Sequence, residues 1–351
     1  MSATVNFAVL GVGAPNQNLG GHAVYNGIGE VHGHFLAETP GAQLVACCDR
    51  SEENGRLYAA KFGVDFHADY AELLARDDVH AVAVCTPSGL HGEHAIQAIR
   101  AGKHVVVEKP LDISTARIDA VLEEVEKAGT RAAVVFPTRY YKGINALKEA
   151  LDCERFGTPA LLNALCRRHR DDRYYQGWRG TWAFDGGGAC MNQGIHMIDA
   201  ILYLMPDVET VQARWGTLGH DTSHCEVEDT AAAVLTFRRG TIGVLECTTC
   251  AWPDHGERID VHAMHGSVSI AGTKVLSWQS EDPQWQLDPA ELAELDEEFT
   301  GHRLLYADLV PYFRDGGECR CAIETGRRSV ALIEAIYESA RSGGIAVWPR
   351  L

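Results

Sequence analysis

One short segment of the sequence carries three polar side chains at a spacing that could bind and deprotonate a small molecule. Asn192, His196 and Asp199 stand at i, i+4 and i+7, so on a helix they share one face. A histidine accepts a proton near neutral pH, and a carboxylate beside it would fix the tautomer of its ring. An amide can position a hydroxyl group but cannot take its proton. Taken alone, a single histidine on such a helix is more often a satisfied core residue, so a catalytic role needs support from other motifs.

A second motif is typical of a turn that binds a nucleotide. Gly11 and Gly13 follow an apolar run, where the first glycine permits a tight bend and the second lets the backbone approach a pyrophosphate. The third glycine of the usual pattern is missing, because position 16 is Asn. Gly29 opens the next helical run, and Asp49 lies 20 residues beyond it (49 − 29), close to the spacing expected for the acid that binds the adenosine ribose. Together they predict a dinucleotide site.

The position of Gly29 makes residues 14–27 an insertion in the phosphate-binding turn. Two interpretations stay open: a flap over the cofactor or substrate, and a surface loop or subunit contact. Asp49 favours NAD, since a carboxylate that accepts from the ribose hydroxyls repels a 2′-phosphate. Arg50 beside it could hold that phosphate, which keeps NADP open.

Buried parallel strands must position this turn. The first 136 residues alternate short apolar runs, rich in Val or Ala, with amphipathic helical stretches. The predicted strands are 5–10, 43–48, 81–85, 104–107 and 131–136, and the predicted helices include 51–62, 91–101 and 115–128. This alternation predicts an α/β fold with an N-terminal Rossmann doubly wound parallel sheet, an NAD(P)-binding domain over residues 1–136.

The pattern changes in residues 137–351. Longer runs with alternating polarity predict strands at 160–166, 210–218, 229–237, 241–250, 259–264 and 267–271, with hairpin turns at 238–240 and 265–266. Helices are predicted at 144–151, 191–204, 302–313 and 324–342, and a solvated excursion at 282–298. We expect a C-terminal α+β domain for substrate binding and oligomerisation, with a large open, mostly antiparallel sheet of about six strands.

Several separated motifs give a specific resemblance. They are Cys-Thr-Pro-Ser at 85–88, Leu-His at 90–91, Glu-Lys-Pro at 108–110, Trp-Arg-Gly-Thr-Trp at 178–182, Asp-Gly-Gly-Gly at 185–188 and Asn-Gln-Gly-Ile-His-Met-Ile-Asp at 192–199. With these motifs the chain resembles the Gfo/Idh/MocA oxidoreductases, the family of glucose–fructose oxidoreductase and inositol dehydrogenase, over nearly its whole length. The resemblance implies hydride transfer between a bound nicotinamide and a hydroxyl of a sugar, sugar derivative or cyclitol.

The resemblance also implies roles for individual residues. In the family, the lysine of Glu-Lys-Pro, here Lys109, approaches the substrate hydroxyl, the glutamate, here Glu108, lies by the nicotinamide ribose, and the Lys-Pro bond is commonly cis. Many members have Asp where this chain has Asn192. Near Arg139 the family often has Asn or Gln before the arginine, whereas this chain has Phe-Pro-Thr at 136–138. The predicted cofactor contacts are Gly11, Gly13, Gly29, Asp49, Arg50, Thr86, Pro87, Ser88, His91, Glu108 and Lys109.

The chemistry of an alcohol oxidation assigns the predicted catalytic residues. The reaction needs a base for the hydroxyl proton and a cation for the developing alkoxide. His196 suits the first role and Lys109 the second, although a buried lysine with a depressed pKa could instead be the base. Asn192 would orient the substrate. The predicted substrate contacts are Arg139, Tyr175, Arg179, Trp182 and Asn192, and for Trp182 packing between domains is the preferred alternative.

Composition limits the partners. The chain of 351 residues has 31 basic and 48 acidic residues and a net charge of −17, which argues against nucleic acid and anionic membrane surfaces. No apolar run approaches the roughly 18 residues of a membrane span. Eleven cysteines without dense spacing indicate reduced thiols in a cytoplasmic protein. Cys-Thr-Thr-Cys at 247–250 and Cys-Arg-Cys at 319–321 could suggest zinc, but positions three apart in a predicted strand face opposite sides and the ligand geometry is lacking, so no metal is predicted.

The expected partners are therefore a small polyol or sugar and further copies of the chain, as a homodimer or homotetramer. Two other functions stay open on the same scaffold. One is an NAD-dependent enzyme that cleaves glycosides through transient oxidation, without net NADH. The other is a non-enzymatic NAD-binding sensor or regulator, which would need no proton acceptor.

Overall fold

A computed structural model describes residues 4–13, 27–293 and 299–351, and these form two compact units. The first unit comprises Met1–Pro137 and Gly301–Arg327, and the second comprises Thr138–Thr300 and Arg328–Leu351. Residues 301–327, which the sequence pattern groups with the second half, therefore pack with the first unit.

The elements are numbered in chain order. The strands are β1 Val5–Leu10, β2 Ala42–Cys48, β3 Asp65–His67, β4 Ala81–Val84, β5 His104–Val107, β6 Ala132–Val134, β7 Pro159–Arg167, β8 Val208–Gly216, β9 Thr230–Phe237, β10 Ile242–Thr248, β11 Gly256–Ala263, β12 Gly266–Ala271 and β13 Lys274–Ser280. The helices are α1 Ile28–Glu38, α2 Glu52–Phe62, α3 Tyr70–Leu74, α4 His91–Arg100, α5 Thr115–Ala128, α6 Lys142–Asp152, α7 Ile195–Leu204, α8 Thr300–Asp315 and α9 Glu324–Arg341.

The first unit contains a six-stranded parallel sheet in the order β3-β2-β1-β4-β5-β6. Its central strands are buried on both faces, as the continuous Val and Ala runs predict; every residue of β4 is buried. Helices end where glycine allows a left-handed residue, at Gly63 (φ 68°) after α2 and Gly129 (φ 64°) after α5. The predicted doubly wound Rossmann sheet is confirmed. Strand β3 is too short to give a pattern and was not predicted.

The second unit contains a seven-stranded sheet in the order β13-β12-β11-β7-β10-β9-β8. All neighbours are antiparallel except β10 and β7. The predicted mostly antiparallel sheet is confirmed, and the turns at 238–240 and 265–266 join β9 to β10 and β11 to β12. The seventh strand, β13, lies just before the segment predicted as a solvated excursion, of which residues 294–298 lie outside the described ranges. Within the described ranges, no helix combines the length and apolar character needed to cross a membrane.

Candidate active site

The nucleotide turn of the first unit requires glycine. Gly11 and Gly13 have φ of 87° and 86°, a conformation that other residues rarely adopt. A Cβ on Gly11 would lie 2.7 Å from the carbonyl oxygen of Cys85, and a Cβ on Gly29 would overlap the carbonyl oxygen of Gly11. Strand β1 and the start of α1 therefore approach closely enough for the backbone to face a pyrophosphate, and the turn fits an NAD cofactor. The predicted insertion falls almost wholly on residues 14–26, outside the described ranges.

Asp49 ties the nucleotide turn to the end of β2. Its Oδ2 accepts the backbone N–H of Val12 at 2.9 Å, and its Oδ1 accepts that of Ser51 at 2.7 Å. A carboxylate has about four lone-pair sites, so the ribose contact predicted for Asp49 is compatible with these two bonds. Arg50 beside it is exposed to solvent.

The loops that follow β4 and β5 are joined by His91. The carbonyl oxygens of Pro110 and Thr86 face its two ring nitrogens at 2.6 and 2.7 Å, and the side chain is 2% exposed. Burial lowers the pKa of His91, although the bonds to the two carbonyls oppose this effect. Thr86 also pairs with Nδ1 of His94 at 3.0 Å, and Ser88 is buried. His91 thus fixes the backbone of these two loops, and its predicted cofactor contact stays a prediction.

Glu108 stands in a buried hydrogen-bond network that sequence reasoning did not find. Its Oε1 accepts from Nε2 of His32 at 2.9 Å, and Nδ1 of the same ring accepts from the hydroxyl of Tyr306 at 2.5 Å. Nε2 of His302 lies 3.8 Å from Oε1. Burial by itself raises the pKa of Glu108, but the bonds from His302 and His32 outweigh it and hold the pKa well below its usual range. The carboxylate is therefore kept ionised.

This carboxylate fixes the Glu-Lys-Pro turn. Oε2 of Glu108 accepts the backbone N–H of Lys109 at 3.1 Å. The peptide bond between Lys109 and Pro110 is cis, as the resemblance predicts. The Lys109 side chain is half-buried. Its backbone is constrained by the bond to Glu108 on one side and by the proline that follows on the other.

Two clusters within the described ranges bring three metal-ligating side chains within 4.8 Å of one another. They are His32, Glu108 and His302 in the first unit and His220, Asp229 and Cys250 in the second. Hydrogen bonds account for both. Each ring nitrogen of His32 is bonded to a side-chain oxygen, and those of His220 face a carboxylate at 3.1 Å and a carbonyl at 2.9 Å. A ring nitrogen that donates its N–H to a carboxylate or carbonyl oxygen offers no lone pair to a cation, and Nδ1 of His32 uses its lone pair on the hydroxyl of Tyr306.

In the second unit, a π-helical turn over Cys190–Gly194 precedes α7 and carries Asn192. Glu228 anchors this turn, because its two oxygens accept the backbone N–H groups of Gly188 and Cys190, both at 2.8 Å, and the hydroxyl of Tyr337 donates at 2.9 Å. Burial raises the pKa of Glu228 to about 7 in spite of these bonds. Such π-turns often mark functional positions.

The amide of Asn192 is oriented by a buried carboxylate. Its Nδ2 donates to Oδ1 of Asp185 at 2.8 Å, and Oδ2 of Asp185 accepts the backbone N–H of Gly180 at 3.0 Å. Asn192 is half-buried, as is His196 in the first turn of α7. Asn192 thus lies on the π-turn and His196 on the α-helix that follows it, and the amide is positioned by Asp185.

The predicted substrate contact of Arg139 and the predicted tautomer role of Asp199 need correction, because these two residues form a buried ion pair with each other. Arg139 donates to Asp199 through Nε at 2.8 Å and Nη2 at 2.5 Å, and Ser329 donates to the same carboxylate at 3.1 Å. Arg139 and Asp199 are 5% and 1% exposed. The pair holds the α7 helix, so these contacts support neither a substrate contact for Arg139 nor a tautomer role for Asp199.

Two predicted aromatic contacts also serve the core. Tyr175 is 2% exposed, and its hydroxyl bonds to that of Thr249 at 2.7 Å, so we correct its assignment to the substrate contacts. Trp182 donates to the carbonyl of Glu226 at 2.9 Å and packs on Trp215. These contacts of Trp182 lie within the second unit, so they test neither the predicted substrate contact nor packing between domains. Arg179 lies over the rings of Trp178 and Tyr174.

Known proteins match the chain over most of its length. Family profiles described as "Oxidoreductase family, NAD-binding Rossmann fold" and "GFO/IDH/MocA C-terminal domain" match residues 24–136 and 144–269. The myo-inositol 2-dehydrogenase of Thermotoga maritima is 30% identical over 244 residues, 69% of this chain and 71% of that protein. The D-apiose dehydrogenase of Paraburkholderia graminis is 25% identical over 335 residues, 89% and 84% of the two chains. The WlbA dehydrogenase from Bordetella pertussis, solved with NADH and UDP-GlcNAcA, has a TM-score of 0.89 at 29% identity over 99% of this chain and 98% of that one. The chain belongs to the Gfo/Idh/MocA family of NAD-binding oxidoreductases.

Proposed function

We propose that this protein is a dehydrogenase that transfers a hydride between NAD and a hydroxyl-bearing carbon of a sugar, sugar derivative or cyclitol. The observation that carries the proposal is the constrained Glu-Lys-Pro turn, which presents Lys109 beside an ionised Glu108. The turn that fits NAD lies in the same unit. Relatives named for inositol and sugar oxidation support the substrate class.

The proposed roles follow from the reaction. A bound nicotinamide would accept the hydride from carbon. Lys109 would stabilise negative charge on the substrate oxygen, and His196 would accept the hydroxyl proton. Asn192 would hold the hydroxyl with an amide that Asp185 already orients. A ribose contact from Asp49 would make NAD the preferred cofactor over NADP.

A variant series tests the lysine. We expect Lys109→Ala to lower kcat/KM by at least a hundredfold for whichever sugar or cyclitol the wild type oxidises in an absorbance screen with NAD and NADP supplied separately. Lys127→Ala, at an exposed helix position, is the matched control and should leave turnover unchanged.

The outcome separates the proposal from the other functions. Unchanged turnover in Lys109→Ala would refute the role of the lysine. Cleavage of a glycoside without net NADH would identify the transient-oxidation reaction instead. Binding of NAD with no turnover across the whole panel would identify a sensor.

We also propose a cytoplasmic homodimer or homotetramer. All eleven cysteines are unpaired thiols, which supports a reducing compartment. The outward face of the seven-stranded sheet carries Ile242 and Val234, 51% and 46% exposed, with Val244 between them. An apolar sheet face of this kind is typical of a surface that pairs with another copy.

A further inference from the structure

Arg179 is a cation with aromatic neighbours and no anionic partner in the described part of the chain. Its guanidinium carbon lies 4.6 Å from the ring centre of Trp178 and 5.0 Å from that of Tyr174. Across residues 4–13, 27–293 and 299–351, no carboxylate pairs with it and no hydrogen bond forms, and its Nε is buried without a partner. Stacking on ring faces holds the guanidinium in place while its in-plane N–H groups stay available.

The nearby arginines differ from Arg179 in this respect. Each of them forms at least one ion pair with a carboxylate: Arg167 with Glu246, Arg168 with Glu257 and Asp254, Arg170 with Asp254, and Arg173 with Asp171. In a chain with 48 acidic and 31 basic residues, carboxylate partners are abundant. A half-buried arginine left without one is partly desolvated and lacks a counter-charge, which an incoming anion would supply.

Tyr174 adds a second donor at the same place. Its hydroxyl accepts from Nε2 of Gln193 at 2.7 Å, and it has no acceptor of its own among the residues that the structure describes. Gln193 is 7% exposed, and its Oε1 is buried without a partner. The hydroxyl proton of Tyr174 is therefore available to a ligand.

This pair of donors belongs to the same framework as the predicted substrate amide. Gly180, which follows Arg179, is bonded to Asp185, and the other oxygen of that carboxylate holds Asn192. Gln193, which holds Tyr174, is the neighbour of Asn192 on the π-turn. One set of hydrogen bonds therefore positions both the amide and the two unsatisfied donors.

We propose that Arg179 and Tyr174 form a subsite for an anionic group, a carboxylate or a phosphate, carried by the sugar substrate. This proposal rests on the proposed dehydrogenase function and narrows its substrate to acidic sugars. A neutral hydroxyl could accept from the same donors but would leave the guanidinium without a counter-charge. Because the chain as a whole repels anions, a local cation is also needed to bind one. A planar guanidinium fork favours a carboxylate held by two parallel bonds.

Calorimetric titration of the NADH-loaded protein tests the subsite. The probes are D-glucuronate, D-glucose 6-phosphate and D-glucose, which share a ring and differ in charge. In the wild type we expect at least one anionic probe to bind more tightly than glucose. Arg179→Gln should weaken that probe at least tenfold and leave glucose within twofold. A larger loss for glucuronate than for the phosphate identifies a carboxylate site, and the reverse identifies a phosphate site.

Three further variants sharpen the test. Arg173→Gln removes an exposed arginine that is already paired with Asp171, and it should change nothing. Arg179→Lys keeps the charge but loses the fork, so it should retain more phosphate than carboxylate binding. Tyr174→Phe should cause a smaller loss than Arg179→Gln for the same anion.

Several outcomes would overturn the subsite. Equal loss of glucose and anion binding in Arg179→Gln would indicate a neutral sugar contact or a folding defect, which the melting temperature and Arg179→Lys distinguish. Weaker NADH binding with unchanged probe selectivity would assign Arg179 to the cofactor. Wild-type protein that binds no anionic probe better than glucose also contradicts the proposal. Selective anion binding without any NAD reduction would instead count against the dehydrogenase function alone.

Discussion

At the scale of single residues, the candidate site is defined by what holds each group rather than by the groups alone. Glu108 is ionised in a buried position because His32 donates to it at 2.9 Å and a second imidazole, that of His302, lies 3.8 Å from the same oxygen. Because an ionised carboxylate only accepts, Nε2 of His32 carries the proton that faces Glu108, and Nδ1 is left to accept from the hydroxyl of Tyr306. Because Glu108 also accepts the backbone N–H of Lys109, this network fixes the backbone of the lysine.

Replacement of His32 by leucine tests that network. The change removes a hydrogen-bond donor that lowers the pKa of Glu108. Burial, which raises this pKa, then has a larger net effect, and the pKa rises. We expect the acid limb of the pH profile of kcat/KM to move upward, with loss of activity at pH values where the wild type is still active. Tyr306→Phe keeps the donor to Glu108 and should move the limb far less.

Stability measured beside the pH profile separates positioning from folding. Loss of one buried hydrogen bond costs about 1–3 kcal/mol, so His32→Leu should also melt at a lower temperature. A lower melting temperature with an unchanged pH profile would assign His32 a structural role only.

At the scale of elements, the backbone at the start of the turn before α7 is held by the buried acid Glu228. The folded pKa of Glu228 is about 7 against an ordinary value of 4.5, so the fold favours its protonated form. Its contribution to stability is complete below pH 4.5 and is lost as the pH rises through 7. The difference between the two values corresponds to about 3 kcal/mol. Since Glu228 accepts the backbone N–H groups of Gly188 and Cys190, its ionisation changes hydrogen bonds that hold the π-turn.

Glu228→Gln tests this assignment by thermal unfolding between pH 5 and 8. The wild type should lose melting temperature across this interval, and the variant should lose less because its side chain does not ionise. The melting temperature of the wild type minus that of the variant should therefore fall as the pH rises, whichever protein melts higher at pH 5. A difference that stays constant, or that rises toward pH 8, would contradict the raised pKa. Glu226→Gln is the matched control, two residues earlier in the chain.

The elements also show what a sequence pattern can and cannot predict. Strand β4 was predictable because four consecutive buried apolar residues need no partner to be recognised. The glycine turn was predictable because its constraint is local. The bond between His32 and Tyr306 joins residues 274 positions apart, and the ion pair of Arg139 and Asp199 spans 60. Such pairs depend on tertiary packing, which spacing along one helix or strand does not encode.

The missed residues carried weak signals of their own. Asp185 stands in a motif that the sequence singles out and Glu228 stands just before a predicted strand, but nothing local distinguishes a buried acid from a solvated one. Conversely, Tyr175 and Arg139 have the side chains of a sugar site, and the fold uses both in its core. Residue types thus predicted the chemistry of this region better than they predicted the role of each residue in it.

At the scale of the whole molecule, a net charge of −17 coexists with an apolar patch on the outward face of one sheet. Ile242 and Val244 alternate with buried residues along β10, and Val234 is the direct partner of Val244 on β9. Alternation of this kind places the three side chains on one face. Hydration of exposed β-branched side chains in adjacent strands is unfavourable in a single chain. A second copy that covers these side chains would remove them from water.

Charge placed on this patch should separate the copies. We expect the double variant Val234→Lys with Ile242→Lys to elute with the mass of one chain, 38.3 kDa, in light-scattering chromatography, while the wild type elutes as a dimer or tetramer. Leu57→Lys is the control, because Leu57 is equally exposed at 55% but lies on α2 of the first unit. The strand neighbours of the two substituted positions are buried and unchanged, so the variant should retain its melting transition; they are Ala233, Leu235, Thr241 and Gly243. A wild type with the mass of one chain would exclude the oligomer, and a double variant that keeps the wild-type mass would move the interface to another surface.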